Sequence, residues 1–168
     1  QLASVVLIDR VVVVHGGAPR QAVVEQWQGL ASFNDPAVRL EMCWSDPVML
    51  ATVSKEMQAQ TQRFAFGMDQ FTSFMDAVGA RVMIRGHEKV PAGFRTEYDD
   101  GWYRLYTVFS AGGYNNRDLP EYVDYRYAHP SFLLLSEREG RFLANPVRIA
   151  WERFNDPSTN RFLTELDT

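Results

Sequence analysis

Two histidines each follow a short apolar run and sit beside glycine, in Val11-Val12-Val13-Val14-His15-Gly16-Gly17 and in Val82-Met83-Ile84-Arg85-Gly86-His87-Glu88. They stand too far apart in the chain for a local zinc motif. Loops at the ends of neighbouring strands converge in space, however. Glycine lets backbone come close to an ion or a phosphate, and neutral imidazole ligates divalent metals. Either histidine alone reads as structural; the shared context leaves the structural and the metal-ligand readings balanced. Two further stretches carry usable groups. Trp44-Ser45-Asp46-Pro47 is, on its own terms, a turn whose aspartate bonds the backbone, and Phe109 to Asn115 runs a strand into a glycine loop that reaches the hydroxyl of Tyr114. His129, before Pro130 in a polar loop, reads as surface.

The elements that must position these groups follow from periodicity. Val5–Ile8 and Arg10–Val14 read as strands, the second buried on both faces because its apolar run is continuous. Pro19 opens a helix expected to reach about Leu30, and Asp35-Pro36 is a cap and first turn. Phe71, Phe74, Met75 and Val78 recur at helical spacing and Gly79 stops them, so Asp69–Val78 is the clearest helix. Arg81–Ile84 reads as a short strand and Phe132–Leu135 as a buried one. Asp99-Asp100-Gly101 turns a hairpin between Phe94–Tyr98 and Trp102–Phe109. Phe162, Leu163 and Leu166 make 151–168 a tail expected to dock as a helix. The order suggests an α/β sheet finished by antiparallel hairpins, in one domain without an internal linker.

Composition narrows the classes. The chain has 168 residues, 46% hydrophobic and 13% aromatic, which argues against disorder. A net charge of -4 without a basic run argues against nucleic acid as a partner. The single cysteine, Cys43, excludes an internal disulfide and fits a reducing, cytoplasmic compartment. No apolar run is long enough for a membrane-spanning helix. Gln1, with a strand almost immediately after it, reads as a cut end.

Four segments, in order, resemble the C-terminal half of the phosphoprotein phosphatase family of metallophosphoesterases. Val14-His15-Gly16-Gly17 is similar to its second histidine motif, and Trp44-Ser45-Asp46-Pro47 to its Trp-Ser-Asp-Pro loop. Arg85-Gly86-His87-Glu88 is similar to its Arg-Ala-His-Gln segment, and Leu105–Tyr114 to its strand and Ser-Ala-Pro-Asn-Tyr loop. The resemblance spans about Val11 to Leu135. It implies an α/β fold, half of a β-sandwich flanked by helices and incomplete on its own. It also implies a two-metal centre of Mn, Fe or Zn that activates water to hydrolyse a phosphoric monoester. Carried over by residue, His15 and His87 become metal ligands, Tyr114 lines the phosphate pocket, and Asp46 is an acidic residue beside the site. The phosphate-gripping arginine of the family precedes its Phe-Thr-Phe-Gly segment, here Phe64-Ala65-Phe66-Gly67. Gln60 stands at the expected position and Arg63 directly before Phe64, so Arg63 is the candidate, an exposed helix-end arginine being its alternative. Arg85 reads as structural, and Glu88, where the family has glutamine, is not required to be charged.

The departures Arg-Gly-His-Glu and Ser-Ala-Gly-Gly-Tyr suggest a divergent, bacterial branch. The family's N-terminal motifs are missing altogether: the sequence contains no Gly-Asp, Gly-Asn or Asn-His pair. Two imidazoles without a carboxylate make a poor site for a hard ion, and the general acid is absent. The expectation is therefore a phosphatase half, inactive alone, whose partner is the N-terminal half of the same enzyme and whose substrate is a phosphoprotein or a smaller ester. The alternative is a non-catalytic binding or regulatory module on the same scaffold. A third reading, a complete small hydrolase with Asp99, Asp100 or Asp124 as substitute ligands, competes with the plain turn at Asp99-Asp100-Gly101.

Overall fold

The computed structural model describes residues 4–60, 63–113 and 119–150; Tyr114 and the tail over 151–168 lie outside the described residues. The chain divides into two compact units, Gln1–His87 with Thr96–Thr107, and Glu88–Arg95 with Val108–Thr168. No helix among the described residues is long and apolar enough to cross a membrane.

The first unit is built on a five-stranded mixed sheet. Its strands are β1 (Val5–Ile8), β2 (Val11–Val14), β5 (Val82–Arg85), β6 (Phe94–Asp99, entering this unit at Thr96) and β7 (Arg104–Val108, leaving it at Thr107), in the spatial order β1-β2-β5-β7-β6. β1 pairs antiparallel with β2, while β2, β5 and β7 run parallel. Alternation then decides which side chains meet the helices. Val12 and Val14 join Met83 and Leu105 in the core, so one face of the sheet is covered. Val13, in the same strand, is 37% exposed. This corrects the expectation that β2 is buried on both faces. The four valines are a parallel-sheet run in composition, but only one side of them is packed.

The covering layer consists of α1 (Gln21–Val24), α2 (Pro36–Trp44), α3 (Lys55–Ala59) and α4 (Met68–Val78). The stripe expected on α4 is buried in full at Phe71, Phe74, Met75 and Val78, and Gly79 ends the helix at φ 69°. Asp35 caps α2 by accepting a hydrogen bond from Ala37 N at 2.8 Å. The helix expected from Pro19 to about Leu30 is much shorter. α1 stops at Val24 and a 3-10 turn follows at Gly29–Asn34, with Gly29 at φ 73°. Trp27 lies between them, its ring edge-on to Phe33 and Phe74, so core packing overrides helical propagation. A short parallel pair, β3 (Ser45–Pro47) and β4 (Phe64–Phe66), lies outside the main sheet and joins Asp46 to Ala65 in register.

The second unit holds an antiparallel ribbon of β8 (Ser131–Arg138) and β9 (Arg141–Arg148), turned by Glu139 and Gly140, both at positive φ. β9 is not foreseen by the sequence reading. The buried strand expected at Phe132–Leu135 is corrected as well: Phe132 and Leu134 are 42% and 53% exposed, because β8 and β9 form a two-stranded sheet with one open face. In the same unit Gly112, at φ 118°, passes so close to the Ala128 and Tyr125 carbonyls that a β-carbon would collide with them. His129 is exposed, as expected.

Candidate functional site

The site grows from the carboxyl ends of two adjacent parallel strands of the first unit. β2 delivers His15 and β5 delivers His87, and the loops are tied by a hydrogen bond from Gly86 N to His15 O at 3.1 Å. The glycines after His15 have a local reason. The amides of Gly16 and Gly17 both donate to Met42 O at 2.9 Å, satisfying a carbonyl in the last turn of α2. A β-carbon on Gly16 would lie 2.6 Å from that oxygen, and one on Gly17 would lie 2.3 Å from the Phe66 ring. His-Gly-Gly is thus a strand end pressed against a helix end, which fixes where His15 emerges.

The two imidazoles meet. His87 Nδ1 lies 3.0 Å from His15 Nε2, the rings edge-on with centroids 4.9 Å apart. His87 adopts the left-handed backbone region at φ 68°, uncommon for a residue with a β-carbon. Trp44 stands edge-on to His87 with centroids 5.7 Å apart. The His87 side chain is 8% exposed, and its Nε2 is buried without a hydrogen-bond partner among the described residues, 3.8 Å from Asp46 Oδ1. Burial lowers the His87 pKa, against the pull of Asp46 and with the push of Arg63, His15 and Arg85, so the ring is held neutral.

Asp46 is the hub of the polar network. Its Oδ2 accepts from Arg63 Nη1 at 3.0 Å and its Oδ1 from Arg85 Nη2 at 2.6 Å. Arg63 leads into β4, which pairs with β3, and this places it beside Asp46 with its side chain 51% exposed. Gln60 instead ends α3, its amide bonded to Met57 O. Arg85, read from the sequence as a structural residue, has a side chain fully buried beneath the site. Trp44 was visible only as part of its loop, and nothing in the sequence showed that its ring faces His87. His15, Asp46, Arg63 and His87 therefore come together, while Tyr114 lies outside the described residues.

Whether this arrangement suits a metal ion can be tested on the nitrogen spacing. Two imidazole nitrogens each about 2.1 Å from one ion, at a right angle, lie about 3.0 Å apart. The approach of His15 to His87 fits two neighbouring positions on one ion. No group of three His, Cys, Asp or Glu side chains suited to a metal occurs among the described residues. The pair fits part of a metal shell and does not complete one.

No protein-family profile matches the chain. It is 27% identical over 122 residues to a probable serine/threonine-protein phosphatase of Encephalitozoon cuniculi, covering 70% of this chain and 25% of that protein. Its fold matches a protein serine/threonine phosphatase of Saccharomyces cerevisiae with similarity to human phosphatase PP5. The TM-score is 0.57 at 20% identity, over 88% of this chain and 47% of that one. The chain thus spans a quarter of the curated relative's length and about half of the solved structure's. The resemblance drawn from the four segments is borne out over that part: the chain is similar in sequence to part of a probable serine/threonine-protein phosphatase, and its α/β fold matches a fragment of a serine/threonine phosphatase structure.

Proposed function

We propose that the chain is the C-terminal half-domain of a metal-dependent phosphoric monoester hydrolase of the serine/threonine protein phosphatase kind, completed by an N-terminal half and inactive without it. The observation that carries this reading is the 3.0 Å approach of His15 to His87 beside the Asp46–Arg63 pair. His15 and His87 would hold one ion through neutral ring nitrogens, the state that burial favours at His87. A bound pair of Mn, Fe or Zn ions supplies charge neutralisation and a nucleophilic water at neutral pH. Arg63 presents a half-exposed guanidinium that binds two phosphate oxygens, and Asp46 holds it in place until phosphate arrives. Tyr114 is assigned to the wall of the phosphate pocket. The remaining ligands and the general acid are assigned to the N-terminal half. The substrate is a phosphoserine or phosphothreonine protein or a smaller ester, met in the cytoplasm.

The test is reconstitution. The chain, mixed with a matching N-terminal phosphatase half and Mn, should turn over an aryl phosphate that neither part hydrolyses alone. A folded, metal-loaded complex without turnover would overturn the reading. A second reading, a non-catalytic binding module, predicts a stable chain indifferent to metal and to the other half; among the described residues only the His15–His87 pair offers metal ligands.

A further inference from the structure

We infer that Arg85 is the positioning residue of this site, a buried clamp that fixes the histidine pair and Asp46 relative to one another. Register explains its burial. Arg85 pairs with Val14 on β2 and with Thr107 on β7, so its side chain turns to the covered face of the sheet, beneath the ends of both loops. There Nε donates to Gly16 O, next to His15. Nη1 donates to Thr107 Oγ1 at 3.4 Å, and Nη2 donates to Ser45 O at 3.3 Å and Asp46 Oδ1 at 2.6 Å. One rigid plane therefore ties the His-Gly-Gly loop, the Trp-Ser-Asp-Pro loop and β7, and it leads through Gly86 to His87. The fixed fork of a guanidinium can hold acceptors lying in several directions; a lysine ammonium concentrates its donors at one point. A charge kept at the bottom of a core is costly to place, and here the bonds to Gly16, Ser45 and Asp46 point at the two segments that carry His15 and Asp46.

The inference rests on the phosphatase reading for its purpose, but its test does not. In the metal-free chain, NMR of Arg85 should show separate, slowly exchanging Nη protons with contacts to Gly16 and Ser45. Averaged Nη signals, the mark of a rotating head group, would overturn the clamp without any substitution. Arg85→Lys should then move the ring-nitrogen signals of His15 and His87 by several ppm as their 3.0 Å contact loosens. Phe74→Leu, which trims a buried side chain packed against Trp27 in the same unit, should lower stability while leaving those ring signals in place. Ring signals unchanged in Arg85→Lys, or moved equally by both substitutions, would make Arg85 an ordinary core residue. Failure of reconstituted turnover bears only on the phosphatase reading and leaves these signals as they are.

Discussion

Asp46 is shared by two guanidiniums whose surroundings make them energetically unlike. Arg63 is half in water, where an ion pair contributes about 0–1 kcal/mol. Arg85 has no exposed side-chain surface, and stripping the charged partner from a buried ion costs about 3–5 kcal/mol. Asp46→Ala should therefore lower unfolding free energy by about 3 kcal/mol, the low end because Arg85 keeps its carbonyl acceptors, whereas Arg63→Ala should change it by less than about 1 kcal/mol. Urea titrations of the two variants check this; equal losses would mean that Asp46 does not anchor Arg85. The same contrast explains what could be read from residues alone. Strand ends with glycine make His15 and His87 candidates, and the four-segment resemblance singles them out as ligands. The same resemblance, through Phe64-Ala65-Phe66-Gly67, points to Arg63. The burial of Arg85 was not legible, since it depends on Gly16, Ser45 and Thr107, which are remote in sequence and near only after the sheet has formed.

At the scale of elements, sequence pattern and structure agree for the helices with sharp local signals and differ where packing or a turn competes with pattern. α4 combines an apolar stripe with a glycine stop, so local and global preferences agree. α1 stops at Val24, before the half-buried Trp27 packs its ring edge-on to Phe33 and Phe74. β9 was hidden by Asn145-Pro146, since proline argues against a strand except at an edge, and this ribbon is all edge. The β3–β4 pair was also unforeseen, yet it carries Asp46 and leads from Arg63. Tyr98 braces it, its hydroxyl donating to the Val48 and Phe66 carbonyls and accepting from Val48 N at 3.1 Å. Burial pushes the Tyr98 hydroxyl up from 10.0 to about 12. A folded-state value above the unfolded one means that the unfolded chain ionises first. The contribution is fully present below pH 10 and lost as pH rises towards about 12. Wild type should therefore lose up to about 2–3 kcal/mol more than Tyr98→Phe across that window. Parallel alkaline slopes in urea titrations would show that Tyr98 is not sealed.

The whole molecule presents an asymmetry that joins fold to function. One face of the main sheet is packed with helices. On the other, Val6, Ile8 and Val13 are 39%, 65% and 37% exposed, and β1 lies at the edge of the sheet. Pairing places Val6 opposite Val13 and Ile8 opposite Val11, so these side chains form one continuous apolar strip beside a strand edge that no described residue pairs with. Such a strip and edge invite association with another chain. If a missing phosphatase half completes the sheet, this strip is where its own strands should seat, because it adjoins β2, the strand that ends on His15. Replacing Ile8, which is 65% exposed, and Val13, which is 37% exposed, by lysine puts charge on this strip and should reduce self-association measured by sedimentation while the chain stays folded. The same double variant should bind the complementing half at least about tenfold more weakly, a loss of about 1.4 kcal/mol by calorimetry. Undiminished binding would place a complementing half on another surface, away from the strand that ends on His15.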